Sequence, residues 1–565
     1  MKVVIVGGVA GGATAAARIR RLDEQAEIII FERTGYVSYA TCGLPYYIGG
    51  VIEDGSQLTL QTPQSFARRF NIDVRVRHEV LQVLPAQKQV LVKNLESGEE
   101  HYESYDKLLL SPGAKPFVPP VNGLVSCSNV FVLRTVEDAE SIRSFVMENK
   151  PASAVVVGGG FIGLEMAENL KEMGLDVSVA EVAPQVLPQL DSDMASLVQG
   201  VLRRNGVRLM LNNGLAKASM EGEQIHLVYS DGAEGVADML ILAAGVQPDS
   251  ALAVQAGLAL GVRGSILVDD IMRTSVEDVF AVGDAVQIKN SVSGQDALIS
   301  LAGPANKQAR IAADNICGMQ SHYRGAQGSS ILKLFDYTVA ATGLSETAAK
   351  QQGIETEKVI LSPMNHAGYY PGGAAMTMKV VFDKNTMRLL GAQIVGKNGV
   401  DKRIDVLATA IYAGMDVRHL AELDLAYAPP YSSAKDPVNM AGFIADNLAR
   451  GIVKQFYYDD VASLQQRTDV TLLDTRTAAE YARGHAEGFV NIPVDELRER
   501  LSEVESGKPV YVICQSGLRS YIASRILQNA GYEAYNFSGG FRFYDAVIGD
   551  QTLIEEAYAC GMDKS

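Results

Sequence analysis

A chain of 565 residues, 47% hydrophobic and 21% charged, is too long for one core and predicts about three or four soluble globular domains. Its formal net charge of −16 argues against nucleic acid or an anionic membrane as partner, so an anionic substrate needs a local cluster of Lys and Arg. Five scattered cysteines without a C-x-x-C pair indicate neither a disulfide framework nor a structural zinc site; they suit a reducing, cytoplasmic setting, and no apolar run is long enough to span a membrane.

Lys2 to Val6 predicts a first strand rather than a signal peptide. Gly7-Gly8-Val9-Ala10-Gly11-Gly12 follows as a phosphate-cradling turn, and Ala13 to Leu22 as a helix. Gly7 and Gly12 fit the dinucleotide fingerprint, whereas Val9 stands at the middle-glycine position. A second strand, Glu27 to Phe31, ends at Glu32, whose carboxylate is placed to accept hydrogen bonds from a ribose. Then comes Ser38-Tyr39-Ala40-Thr41-Cys42-Gly43-Leu44-Pro45-Tyr46-Tyr47. Gly43 and Pro45 place Cys42 where a loop enters a helix, and a helix N-terminus stabilises a thiolate. Cys42 is therefore either a reactive thiol or one more structural cysteine.

The strand, turn and helix recur. Ser153 to Val157 is a strand, Gly158-Gly159-Gly160-Phe161-Ile162-Gly163 carries glycine at all three fingerprint positions (Gly158, Gly160, Gly163), and Leu164 to Met173 is a helix. The next strand, Asp176 to Ala180, ends in Glu181, which pairs with a ribose 2′-hydroxyl and repels a 2′-phosphate. That favours NADH, with NADPH the alternative. Two dinucleotide units in one chain suggest a flavin reduced by a nicotinamide.

Thr274 to Ala285 reads as a strand ending in Gly283-Asp284. It resembles the second FAD motif of the two-dinucleotide-domain disulfide reductases, in which the Asp bonds the ribityl chain. Tyr105 to Ala114, with Gly113, and Ile241 to Pro248 resemble that superfamily's connecting segments. The resemblance implies an α/β protein. An FAD domain (1–115 and 245–325) is split by an NAD(P)H domain (116–244), and an α+β interface domain (326–447) implies a homodimer.

Past an expected linker at 448–459, residues 460–565 form a separate α/β domain. Val470 to Arg476 and Lys508 to Ile513 predict strands, the second delivering Cys514-Gln515-Ser516-Gly517-Leu518-Arg519-Ser520 to a helix from Tyr521 to Ala530. Together with Asp474, Glu480, Gly484-His485 and Asn491-Ile492-Pro493, this segment resembles a single-domain rhodanese. Backbone N–H groups converging on a cysteine at a strand end stabilise a thiolate or persulfide, and Arg519 adds a fixed charge. Six residues from Cys514 to Arg519 suit sulfur transfer, whereas protein phosphatases use a longer loop. Asp474 and Arg476 read as loop-positioning residues.

A dithiol at C-x-x-x-x-C spacing needs its second cysteine at position 47, which is Tyr47, and none of the seven histidines forms an acid–base pair beside the flavin motifs. Cys42 must then cycle through a mixed disulfide, a persulfide or a sulfenic acid. The stretch Ser38 to Tyr47, together with His366-Ala367-Gly368-Tyr369-Tyr370-Pro371-Gly372 and Leu425-Ala426-Tyr427-Ala428-Pro429-Pro430-Tyr431, resembles the coenzyme A-disulfide reductases over residues 1 to 445. The whole chain resembles their rhodanese-fused form, the NADH-dependent persulfide and polysulfide reductases. Thr41 departs from the Asn more usual in that family.

The resemblance implies Cys42 as redox nucleophile, with Tyr369 and Tyr427 of the partner subunit near it. Tyr370 and Tyr431 rank lower. It implies a catalytic Cys514 with Arg519, and coenzyme A contacts from Thr14, Arg18, Arg21, Ser38, Thr41, Asn306 and Lys435. Cofactors would be FAD and NADH; substrates would be coenzyme A disulfide, persulfides or polysulfide. Two alternatives stand beside it: an NADH oxidase or peroxidase using a Cys42 sulfenic acid, and a rhodanese domain acting only as sensor or docking module. Cys127, Cys317 and Cys560 read as structural.

Overall fold

The structure, a computed structural model, describes residues 1–560, with side chains described to residue 551, so Cys560 lies outside the described side chains. The chain separates into two compact units, one of Met1–Val182 with Val207–Gly328, the other of Ala183–Gly206 with Ser329 onward.

The first unit holds two parallel five-stranded sheets. The first sheet runs Val279–Ala281, Lys107–Leu110, Lys2–Val6, Glu27–Glu32, Asp73–Val76. Its inner strands are continuous apolar runs because both faces are covered, whereas the edge strand Asp73–Val76 alternates charged and apolar residues. Val3, Ile5, Ile28 and Ile30 pack on Ala13, Ala16 and Ile19 of the helix Ala10–Leu22. Val4, Val6, Ile29 and Phe31 point the other way, onto Val80, Val83, Val90 and Val92 of an antiparallel sheet. The strand Val279–Ala281 pairs with Lys107–Leu110, so the first sheet is completed only after the chain has built the second. That second sheet runs Arg208–Met210, Asp176–Ala180, Ser153–Val157, Met239–Leu242, Val130–Val132. The stretch Thr274 to Ala285 is mostly not a strand. Only Val279–Ala281 pairs, because Asp278 turns the backbone into the left-handed region at φ 65°.

The second unit holds an antiparallel sheet, ordered Ser330–Leu334, Tyr337–Gly343, Leu389–Gly396, Met376–Asp383, Thr356–Leu361. The helix Val400–Tyr412 packs on two of these strands. Residues 183–206 join this unit although they lie between strands Asp176–Ala180 and Arg208–Met210 of the second parallel sheet. A buried ion network explains the attachment: Lys379 Nζ lies 3.1 Å from Asp191, 2.8 Å from Asp193 and 2.9 Å from Glu346.

A parallel sheet follows in the order Lys454–Phe456, Ala534–Phe537, Val510–Ile513, Thr471–Asp474, Val490–Asn491. Its two faces pack separate cores, one around Leu473, Val510 and Val512, the other around Phe456, Leu472 and Ile513. The expected linker 448–459 is instead built into the fold. The helix Pro437–Ala449 ends there, Lys454–Phe456 pairs with Ala534–Phe537, and Tyr458–Leu464 is helical. The strand is held by Phe456, whose ring sits 5.1 Å from both Phe537 and Tyr511. Among the described residues no helix is long and apolar enough to cross a membrane.

Candidate active site: two glycine turns and two cysteines

The first glycine turn is shaped by backbone crowding. Gly7 has φ 91°, where a Cβ would overlap the Ser111 carbonyl, and a Cβ on Gly12 would overlap the Gly7 carbonyl. Glu32 closes the turn from the end of its strand. Its carboxylate accepts from Gly8 N (2.8 Å) and from Thr34 N and Oγ1 (both 2.9 Å). Val9, at the middle position, has φ −99°, outside the left-handed region that would call for glycine.

The second turn repeats the design. Gly158 is left-handed at φ 112°, a Cβ on Gly163 would overlap the Gly158 carbonyl, and Glu181 accepts from Gly159 N at 2.6 Å. Above Gly160 there is open space, the cradle into which a pyrophosphate can approach the backbone. Neither the helix Ala10–Leu22 nor Phe161–Glu172 has a side-chain cap, so both present unpaired N–H groups and a positive dipole end to an anion. The residues fit a dinucleotide at each turn. Gly113 (φ 71°) and Asp284 lie beside Arg134, whose Nη2 donates to Asp284 at 2.9 Å, while Gly283 (φ 86°) precedes Asp284 and faces Ser111.

Cys42 stands in the single turn Thr41–Gly43, just before the short helix Leu44–Ile48. The loop is tied to the first glycine turn, since Ser38 takes φ 50° and donates its N–H to the Gly8 carbonyl at 2.8 Å. The residue is open to solvent. Although Cys42 stands at a helix entrance as expected, the surroundings raise its thiol above the ordinary value. The protein packed around the sulfur is the main cause, the Glu165 charge adds to it and Asp284 contributes, while the Thr41 hydroxyl and Arg134 pull the other way. A five-residue helix adds little dipole against burial and the Glu165 and Asp284 charges.

Glu165 escaped sequence reasoning. It sits on the fingerprint helix Phe161–Glu172 and accepts from Tyr46 Oη at 3.4 Å, and burial pushes its carboxyl up to about 7. An acid inside an otherwise apolar stretch of that helix was the available signal. Tyr47 is locked in place: the Arg143 guanidinium lies 4.2 Å over its ring and donates to its carbonyl at 2.9 Å.

Of the expected coenzyme A residues, the helices Ala10–Leu22 and Ala302–Ile316 bring together Thr14 and Asn306, joined at 2.6 Å. Arg18 requires correction as a source of free charge, because its Nε pairs with the buried Asp314 at 2.8 Å. Arg21 is exposed. Thr41 flanks Cys42, and Lys435 lies exposed in the second unit.

In the second unit the Tyr369 and Tyr427 hydroxyls meet at 3.0 Å, both side chains exposed. Their shared hydrogen bond holds Tyr369 above the ordinary tyrosine value. One buried arginine pins the two loops that carry them: Arg403 donates to Asn365 O (2.9 Å), Tyr431 O (3.3 Å), Ser432 Oγ (3.2 Å) and Asp436 Oδ2 (2.9 Å). Tyr370 packs edge-on against His366 with ring centres 5.6 Å apart, and Tyr431 is exposed.

Cys514 ends the strand Val510–Ile513 and is fully buried. Its sulfur accepts from Gly517 N and Ser520 Oγ, each at 3.2 Å. The following helix begins at Leu518, earlier than expected, with Gly517 at φ 97° as its N-cap. Arg476 clamps Asp474 (2.7 Å), reaches Gly484 O (2.8 Å) and lies 3.9 Å over the Phe541 ring, a positioning arrangement. Arg519, expected to add a fixed charge beside Cys514, is held in an ion pair. Its two terminal nitrogens hold the Glu480 carboxylate at 2.7 and 2.8 Å. That pairing holds Glu480 down to about 2.

Two glycine turns closed by carboxylates, with a cysteine loop hung from the first of them, define a flavin- and nicotinamide-dependent disulfide reductase. The chain belongs to the pyridine nucleotide-disulphide oxidoreductase family, which matches residues 1–309; the family's dimerisation domain matches 329–437 and a rhodanese-like domain 458–546. It is 36% identical over 446 residues to a coenzyme A disulfide reductase of Staphylococcus epidermidis, covering 79% of this chain and 99% of that one. Among solved structures it is similar to reduced Bacillus anthracis CoADR-RHD, with 45% identity, a TM-score of 0.95, and 97% of this chain and 98% of that one covered. It is also similar to a NAD-dependent persulfide reductase from A. fulgidus, with 39% identity, a TM-score of 0.90, and coverage of 96% and 100%. The protein is thus an oxidoreductase of the coenzyme A disulfide reductase type with a rhodanese domain, and its family implies FAD and NAD(H).

Proposed function

We propose that this protein uses NADH to reduce coenzyme A disulfide, persulfides or polysulfide, with Cys42 as the redox nucleophile and Cys514 as the carrier of sulfane sulfur. The observation that carries the reading is the single thiol. Position 47, where a second cysteine would be needed, holds Tyr47 under Arg143, so the sulfur partner of Cys42 must come from outside its own loop.

Gly7, Gly12, Glu32, Gly113 and Asp284 would hold FAD; Gly158, Gly160, Gly163 and Glu181 would hold NADH. Bound there, the pair supplies two electrons originating as a hydride. The Cys42 thiolate attacks one sulfur of coenzyme A disulfide. A Cys42–S–S–CoA bond forms, the original disulfide bond breaks, and one coenzyme A thiolate leaves with the electron pair. Two electrons then cleave the mixed disulfide, and the second thiol departs while Cys42 returns to thiolate. With a persulfide, attack at the outer sulfur releases the carrier thiol, and reduction releases sulfide.

Tyr369 and Tyr427 of the partner subunit would protonate the leaving thiolate in place of a histidine. Thr14, Ser38, Thr41, Asn306 and Lys435 would contact coenzyme A. Arg21 would supply the charge for its phosphates, with Arg18 positioned through Asp314.

The test is anaerobic NADH oxidation over a panel of disulfides, persulfides and polysulfide, with thiol and sulfide measured. Cys42→Ser should abolish turnover on every member. Cys514→Ser should remove sulfur transfer yet leave flavin reduction by NADH intact, and full polysulfide turnover in that variant would end the relay idea. NADH consumption that requires oxygen and yields no thiol would favour the oxidase reading.

A further inference from the structure

Two arginines near Cys514 are held in ion pairs. Asp474 and Arg476 form one closed pair, at most 2% exposed. Glu480 and Arg519 form the second, with both carboxylate oxygens used. Glu480 is itself anchored, accepting from Thr477 N at 2.9 Å and Thr477 Oγ1 at 3.0 Å, so it is not a side chain that swings aside at little cost. His485 lies flat on Tyr481 with ring centres 3.8 Å apart, and Arg542 bonds the loop through its backbone N–H to Gln515 O. The sulfur is left with two neutral donors, the Gly517 N–H and the Ser520 hydroxyl. Beside the loop, Leu518 (65% exposed) and Ile522 (40% exposed) stand one turn apart on the same helix and give it an apolar rim.

Resting on the reading of Cys514 as a sulfur-transfer cysteine, we propose that Glu480 sets its donor specificity: by clamping Arg519 it withdraws the loop's own cation from an incoming anion, which selects thiol-linked persulfides and disfavours inorganic dianions such as thiosulfate. A dianion entering a partly buried loop must shed water, and only an uncommitted cation would compensate that loss. A thiol-linked persulfide brings at most one charge, and its organic part matches the rim. Glu480 is thus a positioning residue that acts through Arg519.

Both donors react by balanced steps. With thiosulfate, the Cys514 thiolate attacks the sulfane sulfur, a sulfur–sulfur bond forms to Cys514, and sulfite leaves with the electron pair. With a thiol persulfide, attack falls on the outer sulfur and the carrier thiolate leaves, taking up the proton. Cyanide then removes the sulfane sulfur as thiocyanate and restores the thiolate.

The experiment uses the full-length flavoprotein and measures thiocyanate formed from thiosulfate and from glutathione persulfide. Glu480→Gln keeps an acceptor for Thr477 while releasing Arg519 from its ion pair. It should lower KM for thiosulfate about tenfold, with kcat within about twofold and persulfide kinetics unchanged. The gain should fade with added salt and disappear in E480Q/R519M. In the wild type, KM for thiosulfate should be nearly independent of salt. Equal losses on both donors in E480Q would mean that Glu480 only supports the loop, and a steep salt dependence in the wild type would mean that Arg519 is already free; either result overturns the proposal. Cys514→Ser, by contrast, tests the underlying reading, since transfer that survives in it would show that Cys514 is not the sulfur carrier.

Discussion

Replacing Arg403 by Leu should damage stability and turnover together. Arg403 and Asp436 are almost wholly buried, with side chains 1% and 3% exposed and 2.9 Å between them. Removing one member of such a pair costs about 3–5 kcal/mol, offset in part here by Lys402, whose Nζ lies 3.5 Å from the Asp436 carboxylate. Burial by itself would raise the Asp436 carboxyl, but the Ser432 hydroxyl, the Val438 N–H and Arg403 together hold it below its ordinary value. The sign follows from that depression: the stabilisation is present above the unfolded aspartate value and is lost as pH falls through the lower folded one. The penalty of R403L should therefore be largest near neutrality and shrink in acid. Urea unfolding at neutral and acid pH measures it, and at roughly 2–4 °C per kcal/mol the melting temperature should fall by about 6–20 °C. Because Arg403 also bonds the loops bearing Tyr369 and Tyr427, the folded fraction should lose disulfide turnover, mainly in kcat. A stability loss below about 1 kcal/mol, or wild-type turnover per folded molecule, would refute the reasoning.

Other substitutions probe the first unit and the tyrosine pair. Glu165→Gln removes a negative charge that raises the Cys42 thiol, so the pH midpoint of Cys42 alkylation by iodoacetamide should move down; an unchanged or higher midpoint would rule out that coupling. Gly163→Ala places a Cβ against the Gly158 carbonyl and must push the helix Phe161–Glu172 outward, so NADH affinity measured by fluorescence titration should weaken about tenfold or more while FAD content holds. Tyr427→Phe takes away the bond that raises Tyr369, and disulfide turnover should fall by about 10²-fold with anaerobic flavin reduction by NADH unaffected.

Local sequence pattern carried the α/β class, the two glycine turns and the cysteine at the end of the strand Val510–Ile513. Each depends on neighbours in the chain: apolar runs make buried strands, and glycines answer to backbone crowding within one turn, as between Gly12 and Gly7 or Gly163 and Gly158. The same locality explains the misjudged linker. Lys454-Gln455-Phe456 is too short and polar to read as a strand until Phe537 and Tyr511, far along the chain, surround its one aromatic ring.

Charge was the quantity that pattern could not supply. The types and positions of Arg18 and Arg519 suggest cations free to meet an anion, yet folding brings Asp314 to one and Glu480 to the other. Glu165 reaches the surroundings of Cys42, and Arg403 ties together loops that bear Tyr369 and Tyr427, through contacts between distant parts of the chain. Whether a charged side chain is available or spent depends on what packs within a few ångströms of it. Residues remote in sequence decide that, so which groups this chain carries could be read from its order of residues, and which of them remain free to act came from the folded structure.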